Sequence, residues 1–212
     1  MKEKISLLHK SLDEEVEWRI SEIAALKTIP YMNNISIYNR EVLMRYSIPA
    51  FYALWESYVV VSIEKYIYFV NSLNLSYDEI HPKIIAHDID MRHDLKNGRV
   101  NLEPRIKFCV DLKQYFTQNV RISSKIPTKS NVSFKTINNI LNCLNLEPFD
   151  KKKRGFQMDQ LIKCRNAVAH GENSVKVDDK IIFSLSSTVI NCMDDLTDSI
   201  VNGAMNKTYL NK

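Results

Sequence analysis

Apolar residues recur every three or four positions through most of the chain, which is the spacing of one face of an α-helix. Residues 4–27 show this pattern first, and Pro30 follows them as a helix-ending residue. We therefore predict a first amphipathic helix over residues 4–27. Its apolar positions are Ile5, Leu8, Leu12, Val16, Ile20, Ile23 and Leu26.

Residues 39–72 are apolar or aromatic on more than one face, which predicts a central helix that other helices touch on several sides. Pro49 lies inside this segment and is expected to kink or split the helix, because proline removes an internal hydrogen bond. We expect the aromatic side chains to lie in the core or in a dimer interface. They are Tyr46, Phe51, Tyr52, Trp55 and Tyr58.

The rest of the chain contains three further helical patterns after a looser stretch. Residues 73–130 carry charges, prolines and polar runs, and predict short helices and loops. Helical spacing returns over residues 134–144, 157–170 and 182–200, and no repeat or strand alternation is found. In the second of these, Gly171 is expected to end the helix in the left-handed conformation. Its inward residues are expected to be Met158, Leu161, Ile162, Val168 and Ala169.

The predicted fold class is all-α, in one domain over residues 1–212 with a loop-rich insertion at about 73–130. Only four glycines occur among 212 residues, so glycine-rich phosphate loops are excluded. The net charge of +4 suits contact with phosphate without requiring it. The four cysteines form no CxxC pair, which favours reduced thiols over a zinc knuckle or disulfides.

The sequence predicts a cytoplasmic protein without a membrane segment. The first 18 residues lack the apolar core of a secretory signal. The most apolar window, residues 48–70, contains Glu56, Glu64 and Lys65. A charged residue at a bilayer centre costs roughly 2.5 to 3.5 kcal/mol, so this window is expected to be a buried helix.

The heptapeptide "RNAVAHG", residues 165–171, is the main candidate for chemistry. Asn166 and His170 are four residues apart and lie on one helix face. Arg165 and His170 are five apart, a rotation of roughly 140°, so they meet only through the length of the arginine or through a second chain. A two-fold dimer brings each motif to its copy.

The helix C-terminus favours the imidazolium form of His170, and Arg165 offers a cationic fork that matches phosphate. With no carboxylate cluster to hold a metal, these groups suit metal-free transesterification of RNA. A plain helix end is the alternative, in which His170 caps the last carbonyls and Arg165 is solvated. The pattern is short, so spacing alone leaves both interpretations open.

The chain resembles the HEPN superfamily of all-α domains, many of them RNases, whose motif is R-x4-6-H with a polar residue after the arginine. "RNAVAHG" matches it, and the Trp55-Glu56 pair and "NVSFKTINNILNCLNL" are similar to the stand-alone nuclease branch found near toxin and defence genes. The resemblance spans roughly residues 40–200. It implies an antiparallel bundle of four core helices, with extra short helices in the mid-chain insertion.

The resemblance also implies a function. His170 would be the acid-base group, Arg165 would stabilise the phosphorane, and Asn166 would orient the histidine or the phosphate. Two motifs of a homodimer would share one cleft and cut RNA without a metal or cofactor, leaving a 2′,3′-cyclic phosphate. A toxin or antiphage role with an antitoxin or defence partner would follow. Some HEPN toxins carry a modified Tyr two residues after the His, but Glu172 stands there.

Three weaker features accompany the motif. Glu56 lies on an apolar helix, so we expect it to pair with Arg165, to contact His170, or to be partly exposed. The loop "KKKRG" could grip phosphates, although such a loop is more often plain surface. "HDIDMRHD", residues 87–94, offers His87, Asp88, His93 and Asp94 as metal ligands, but lacks further ligands at a persuasive spacing. The basic residues of the loop are Lys151, Lys152, Lys153 and Arg154.

The sequence leaves two rival functions open beside the nuclease. One is a catalytically silent HEPN module that binds RNA or a protein. The other is a metal-dependent His-Asp phosphohydrolase centred on residues 87–94, which would require added divalent ions.

Overall fold

The computed structural model describes residues 1–93, 102–126, 131–172 and 176–211, and within these ranges the chain is helical without an extended sheet. Single turns of other helix types occur at Ile29–Tyr31, Tyr77–Glu79 and Lys151–Gly155. The α-helices are α1 (Lys2–Thr28), α2 (Ile37–Ser72), α3 (Pro82–Arg92), α4 (Leu102–Thr117), α5 (Phe134–Cys143), α6 (Phe156–Ala169) and α7 (Asp179–Met205).

Helices α1, α2, α6 and α7 form a four-helix bundle in which each successive helix reverses direction. Lys4 Nζ donates to the Ser72 carbonyl at 2.8 Å, which joins the start of α1 to the end of α2. Tyr58 bonds Thr197, and the rings of Phe69 and Tyr209 meet edge to face at 5.9 Å, so α7 runs parallel to α2. The predicted all-α bundle is confirmed.

Helix α6 runs opposite to α2. The Lys151–Gly155 turn that leads into α6 is tied to α7, because Arg154 bonds Asp195. Asp195 is close to the level of Thr197 and therefore of Tyr58 on α2. Further along α6, Arg165 lies over Tyr52, which is nearer the start of α2. The C-terminal end of α6 therefore points toward the N-terminal half of α2.

The mid-chain segment packs at the C-terminal end of α2. Asn71 forms paired bonds with Ile122, with its Oδ1 accepting from the backbone N–H at 2.7 Å and its Nδ2 donating to the carbonyl at 2.9 Å. Asp88 of α3 accepts from Ser123 N at 2.6 Å. Asn71 is 19 residues beyond Tyr52, about 28 Å along a helix that rises 1.5 Å per residue.

The structure resolves three details that the sequence left open or predicted differently. Pro49 does not split α2, which is continuous from Ile37 to Ser72. Ala169, expected inward, is exposed as the last residue of α6, and Ala167 is buried instead. Tyr46, for which the sequence left the core or a dimer interface open, is 62% exposed in this single chain and therefore does not lie in the core. None of the described helices has the length and apolarity needed to cross a membrane.

A charged group is buried between α1 and α2. Arg19 is only 2% exposed, and its Nη1 donates to Glu15 Oε2 at 2.7 Å while its Nη2 donates to Ser57 Oγ at 3.1 Å. Burial raises the pKa of Glu15, but the bonds from Arg19 and Trp18 and the charge of Lys65 outweigh it and lower the pKa below its ordinary value. The pair therefore contributes stability while Glu15 is ionised.

Replacement of Arg19 by methionine is expected to lower the free energy of unfolding by about 2 kcal/mol at neutral pH, because Glu15 loses its partner. A carboxyl whose pKa is lowered on folding contributes stability above its ordinary pKa and loses it as the pH falls through the folded value. The loss is therefore expected to shrink at about pH 3. Urea unfolding of Arg19→Met at both pH values checks this, with Lys10→Met as the exposed control. An equal loss at both pH values would contradict it.

Candidate functional site

The end of α6 presents His170 on a fixed backbone turn. His170 N bonds Asn166 O at 2.9 Å, Gly171 N bonds Val168 O at 3.1 Å, and Glu172 N bonds Ala167 O at 2.9 Å. The last two bonds form the Schellman arrangement, and Gly171 has the left-handed φ of 73° that this arrangement requires. The predicted helix end is confirmed, and it leaves the imidazole exposed to solvent.

Arg165 is held between Asn166 and the ring of Tyr52. Its Nη1 donates to Asn166 Oδ1 at 2.9 Å, and its Cζ lies 4.4 Å from the centroid of the Tyr52 ring. A guanidinium over an aromatic face gains roughly 0.5 to 2 kcal/mol without losing its charge. No carboxylate of the described chain forms an ion pair with Arg165, so its positive charge is not neutralised.

Tyr52 is buried on α2 and is itself fixed through its hydroxyl. The hydroxyl accepts from Val132 N at 2.7 Å and lies 3.5 Å from Glu56 Oε1 and 3.4 Å from Asn131 Oδ1. Burial, together with the charge of Glu56, raises the pKa of Tyr52 above its ordinary value despite opposing effects of Val132 N–H and Arg165. The phenol is therefore neutral and its ring cannot rotate away from Arg165 without breaking these bonds.

Glu56 reaches the site through Tyr52. It is half-buried one helical turn after Tyr52, and it forms no ion pair with Arg165 within the ranges that the structure describes. Of the alternatives open for Glu56, the structure shows partial exposure, because the tyrosine ring and not the carboxylate lies against the guanidinium of Arg165. Partial exposure and the Tyr52 hydroxyl account for the carboxylate instead.

Asn166 holds the arginine and not the histidine. Its side-chain oxygen accepts from Arg165, while its backbone carbonyl accepts from His170 N. Within the described part of one chain, no hydrogen bond joins the side chains of Arg165 and His170. The geometry agrees with the rotation of roughly 140° expected from their spacing.

Two of the four basic residues in the loop before α6 form ion pairs within the fold. Arg154 is 6% exposed and its Nη2 donates to Asp195 Oδ1 at 3.1 Å, while Lys153 Nζ lies 3.1 Å from the same oxygen. Burial raises the pKa of Asp195, but these two cations outweigh it and lower the pKa. Lys151 and Lys152 are exposed and remain free of such pairs in the described part of the chain.

The described part of residues 87–94, the candidate metal site of the phosphohydrolase alternative, forms a structural cluster that we call the Asp88 clamp. Asp88 is fully buried, accepts two bonds from Arg92 Nε at 2.8 and 3.0 Å, and accepts from Ser123 N. His93 is buried against Asp111 at 3.5 Å, and Asp94 lies outside the described residues. No group of three or more potential metal ligands occurs within those residues. The Asp88 clamp also lies at the opposite end of α2 from Arg165.

Tyr52 is the site residue that the sequence did not reveal. The sequence places it one turn before Glu56 on α2, but gives no signal for which α2 face meets α6. It was grouped with the core aromatics for this reason, and it is indeed buried.

Comparison with known proteins agrees with the all-α fold. The profile of the HEPN_MAE_28990-like HEPN family matches residues 8–209. No curated protein and no solved structure matches the chain. The chain therefore belongs to the HEPN superfamily, whose domains are often RNases.

Proposed function

We propose that the protein is a metal-independent endoribonuclease that cleaves RNA by attack of the ribose 2′-hydroxyl on the adjacent phosphate. The observation that carries the proposal is Arg165, five residues before an exposed histidine. It is a half-buried cation fixed on Tyr52, and no carboxylate of the described residues pairs with it. Among the described residues, one of its five N–H donors is bonded, to Asn166 Oδ1, which leaves donors for phosphate oxygens.

The residues divide the reaction between them. His170 transfers the proton, either from the 2′-hydroxyl or to the departing 5′-oxygen, and Arg165 stabilises the negative charge of the phosphorane. Asn166 and Tyr52 orient the guanidinium. The 2′-oxygen forms a bond to phosphorus as the bond to the 5′-oxygen breaks, which leaves a 2′,3′-cyclic phosphate and a 5′-hydroxyl.

A homodimer completes this site in our proposal. Arg165 and His170 do not meet within one chain, and a two-fold axis near the end of α6 would bring two copies of the motif into one cleft. The exposed Tyr46 face of α2 is available to a second copy at the same end of the bundle. In the cell we propose a toxin or antiphage role in the cytoplasm, with an antitoxin or defence protein as partner.

The first test is cleavage of labelled cellular RNA in EDTA by the native protein and by His170→Ala. Loss of a general acid-base group is expected to slow cleavage by about 10² to 10⁴-fold. The products are expected to carry cyclic phosphate and 5′-hydroxyl ends, and DNA of the same sequence is expected to stay intact. His170 is exposed, so thermal unfolding is expected to be unchanged.

Three results decide against this proposal. Binding of RNA without cleavage, with no effect of His170→Ala, would assign the protein to the silent HEPN modules. Cleavage that EDTA abolishes and divalent ions restore would support the His-Asp phosphohydrolase instead. Unfolding of His170→Ala would return His170 to a helix-capping role.

The shared site is tested by mixing two inactive variants. Arg165→Ala and His170→Ala homodimers are each expected to be inactive, and heterodimers formed by joint refolding are expected to regain part of the activity, because one cleft then contains an intact arginine and an intact histidine from different chains. Refolding each variant alone is the control. Failure of an isolated, folded heterodimer to cleave would contradict a composite site.

Tyr52 is tested with two replacements of different shape. Tyr52→Leu removes the aromatic face, and RNA cleavage is expected to fall about tenfold, in line with the loss of roughly 1 to 2 kcal/mol of cation–π energy. Tyr52→Phe keeps the face but leaves Val132 N–H unpaired, so it is expected to lose about 1 to 2 kcal/mol of stability while retaining most of the activity. Equal activity of the two variants would contradict a positioning role.

A further inference from the structure

Arg45 lies on the same face of α2 as Tyr52, at a spacing that brings it to the open end of the site. The two residues are seven apart, which is two helical turns and about 10 Å along the axis. Toward the same end of the bundle, His170 lies five residues, about 7 Å, beyond Arg165 on the oppositely directed α6. Since Arg165 and Tyr52 are in contact, Arg45 and His170 reach similar levels.

The charge of Arg45 has no partner in the described chain. Arg45 is half-buried, and its Nε is buried without a hydrogen bond. Glu41 stands one turn earlier but forms no ion pair with it within the described ranges. The other strongly buried arginines behave differently, because Arg19 is paired with Glu15 and Arg154 with Asp195.

An unpaired, partly buried cation costs free energy unless an anion from outside the chain completes it. A protein keeps such a destabilising cation where the cation binds a ligand. The guanidinium is a planar fork that matches a phosphate, and it stays protonated at every accessible pH. Arg45 and Arg165 are thus two guanidiniums without an ion-pair partner among the described residues, placed along the contact between α2 and α6. The exposed His170 lies at the same end of the bundle.

We propose that Arg45 binds a second phosphodiester of the RNA, neighbouring the phosphate that Arg165 holds. This inference rests on the proposed nuclease function and extends it, because it makes the site a track for at least two successive phosphates. The nuclease would then act inside a strand and would cleave a dinucleotide, which has a single phosphate, poorly.

The test measures RNA binding in the non-cleaving His170→Ala background, with a fluorescein-labelled single-stranded 12-mer in EDTA at a series of salt concentrations. Each phosphate contact contributes about 0.7 to the slope of log K against log salt for a single strand. Addition of Arg45→Met is expected to reduce the slope by about 0.7 and the affinity at low salt by about tenfold. Methionine keeps the apolar stem, so the melting temperature is expected to hold or rise.

The matched control is Arg105→Met, which removes the same charge from an exposed position on α4. It is expected to leave the slope and the affinity unchanged. A cleavage assay with otherwise native protein adds a second readout, in which Arg45→Met raises KM for the 12-mer and leaves the slow cleavage of a dinucleotide unaffected.

Two outcomes would overturn the role of Arg45 alone. If Arg45→Met and Arg105→Met give the same slope while His170→Ala binds RNA, no phosphate reaches Arg45. If Arg45→Met weakens self-association in sedimentation and leaves RNA binding by the remaining dimer unchanged, its partner is a carboxylate of the second copy. If folded His170→Ala binds no RNA and the native protein cleaves none, the nuclease proposal fails and takes this inference with it.

Discussion

The packing of α2 against three other helices is the constraint from which the rest of the structure follows. Its apolar positions extend around more than half of its circumference, so α1, α6 and α7 must all contact it to remove that surface from water. Fifteen of its residues are buried, and they set the direction and level of each neighbour. The motif helix is therefore positioned by the core and not by a local loop.

The same packing determines the electrostatics of the candidate site. The side chain of α2 that lies against Arg165 is the aromatic ring of Tyr52. A ring fixes the position of a cation while leaving its charge available, whereas a carboxylate would fix and cancel it together. The positive charge of Arg165 therefore stays available, which is the property that the proposed phosphate contact uses.

Sequence reasoning succeeded where structure is local and failed where it depends on how helices meet. The left-handed Gly171 and the exposed His170 were predictable, because a helix end is specified by a few adjacent residues. The contact between Tyr52 and Arg165 joins positions 113 residues apart, and periodicity cannot supply the rotation of α6 about its axis. The error at Ala169 has the same origin, since burial near the end of a helix depends on how far its neighbours extend.

The solvent exposure of the His170 side chain, at a helix end whose backbone is fixed, has an evolutionary consequence. Its backbone is fixed by the Schellman bonds and its side chain contributes nothing to the core, so the residue can be exchanged with almost no penalty in folding. If the protein cleaves RNA as we propose, one substitution at His170 would suffice to give a protein that binds RNA without cutting it, with Arg165, Asn166 and Tyr52 unchanged. Active and inactive descendants of such a scaffold are expected to share one architecture, separated by a single solvent-facing imidazole.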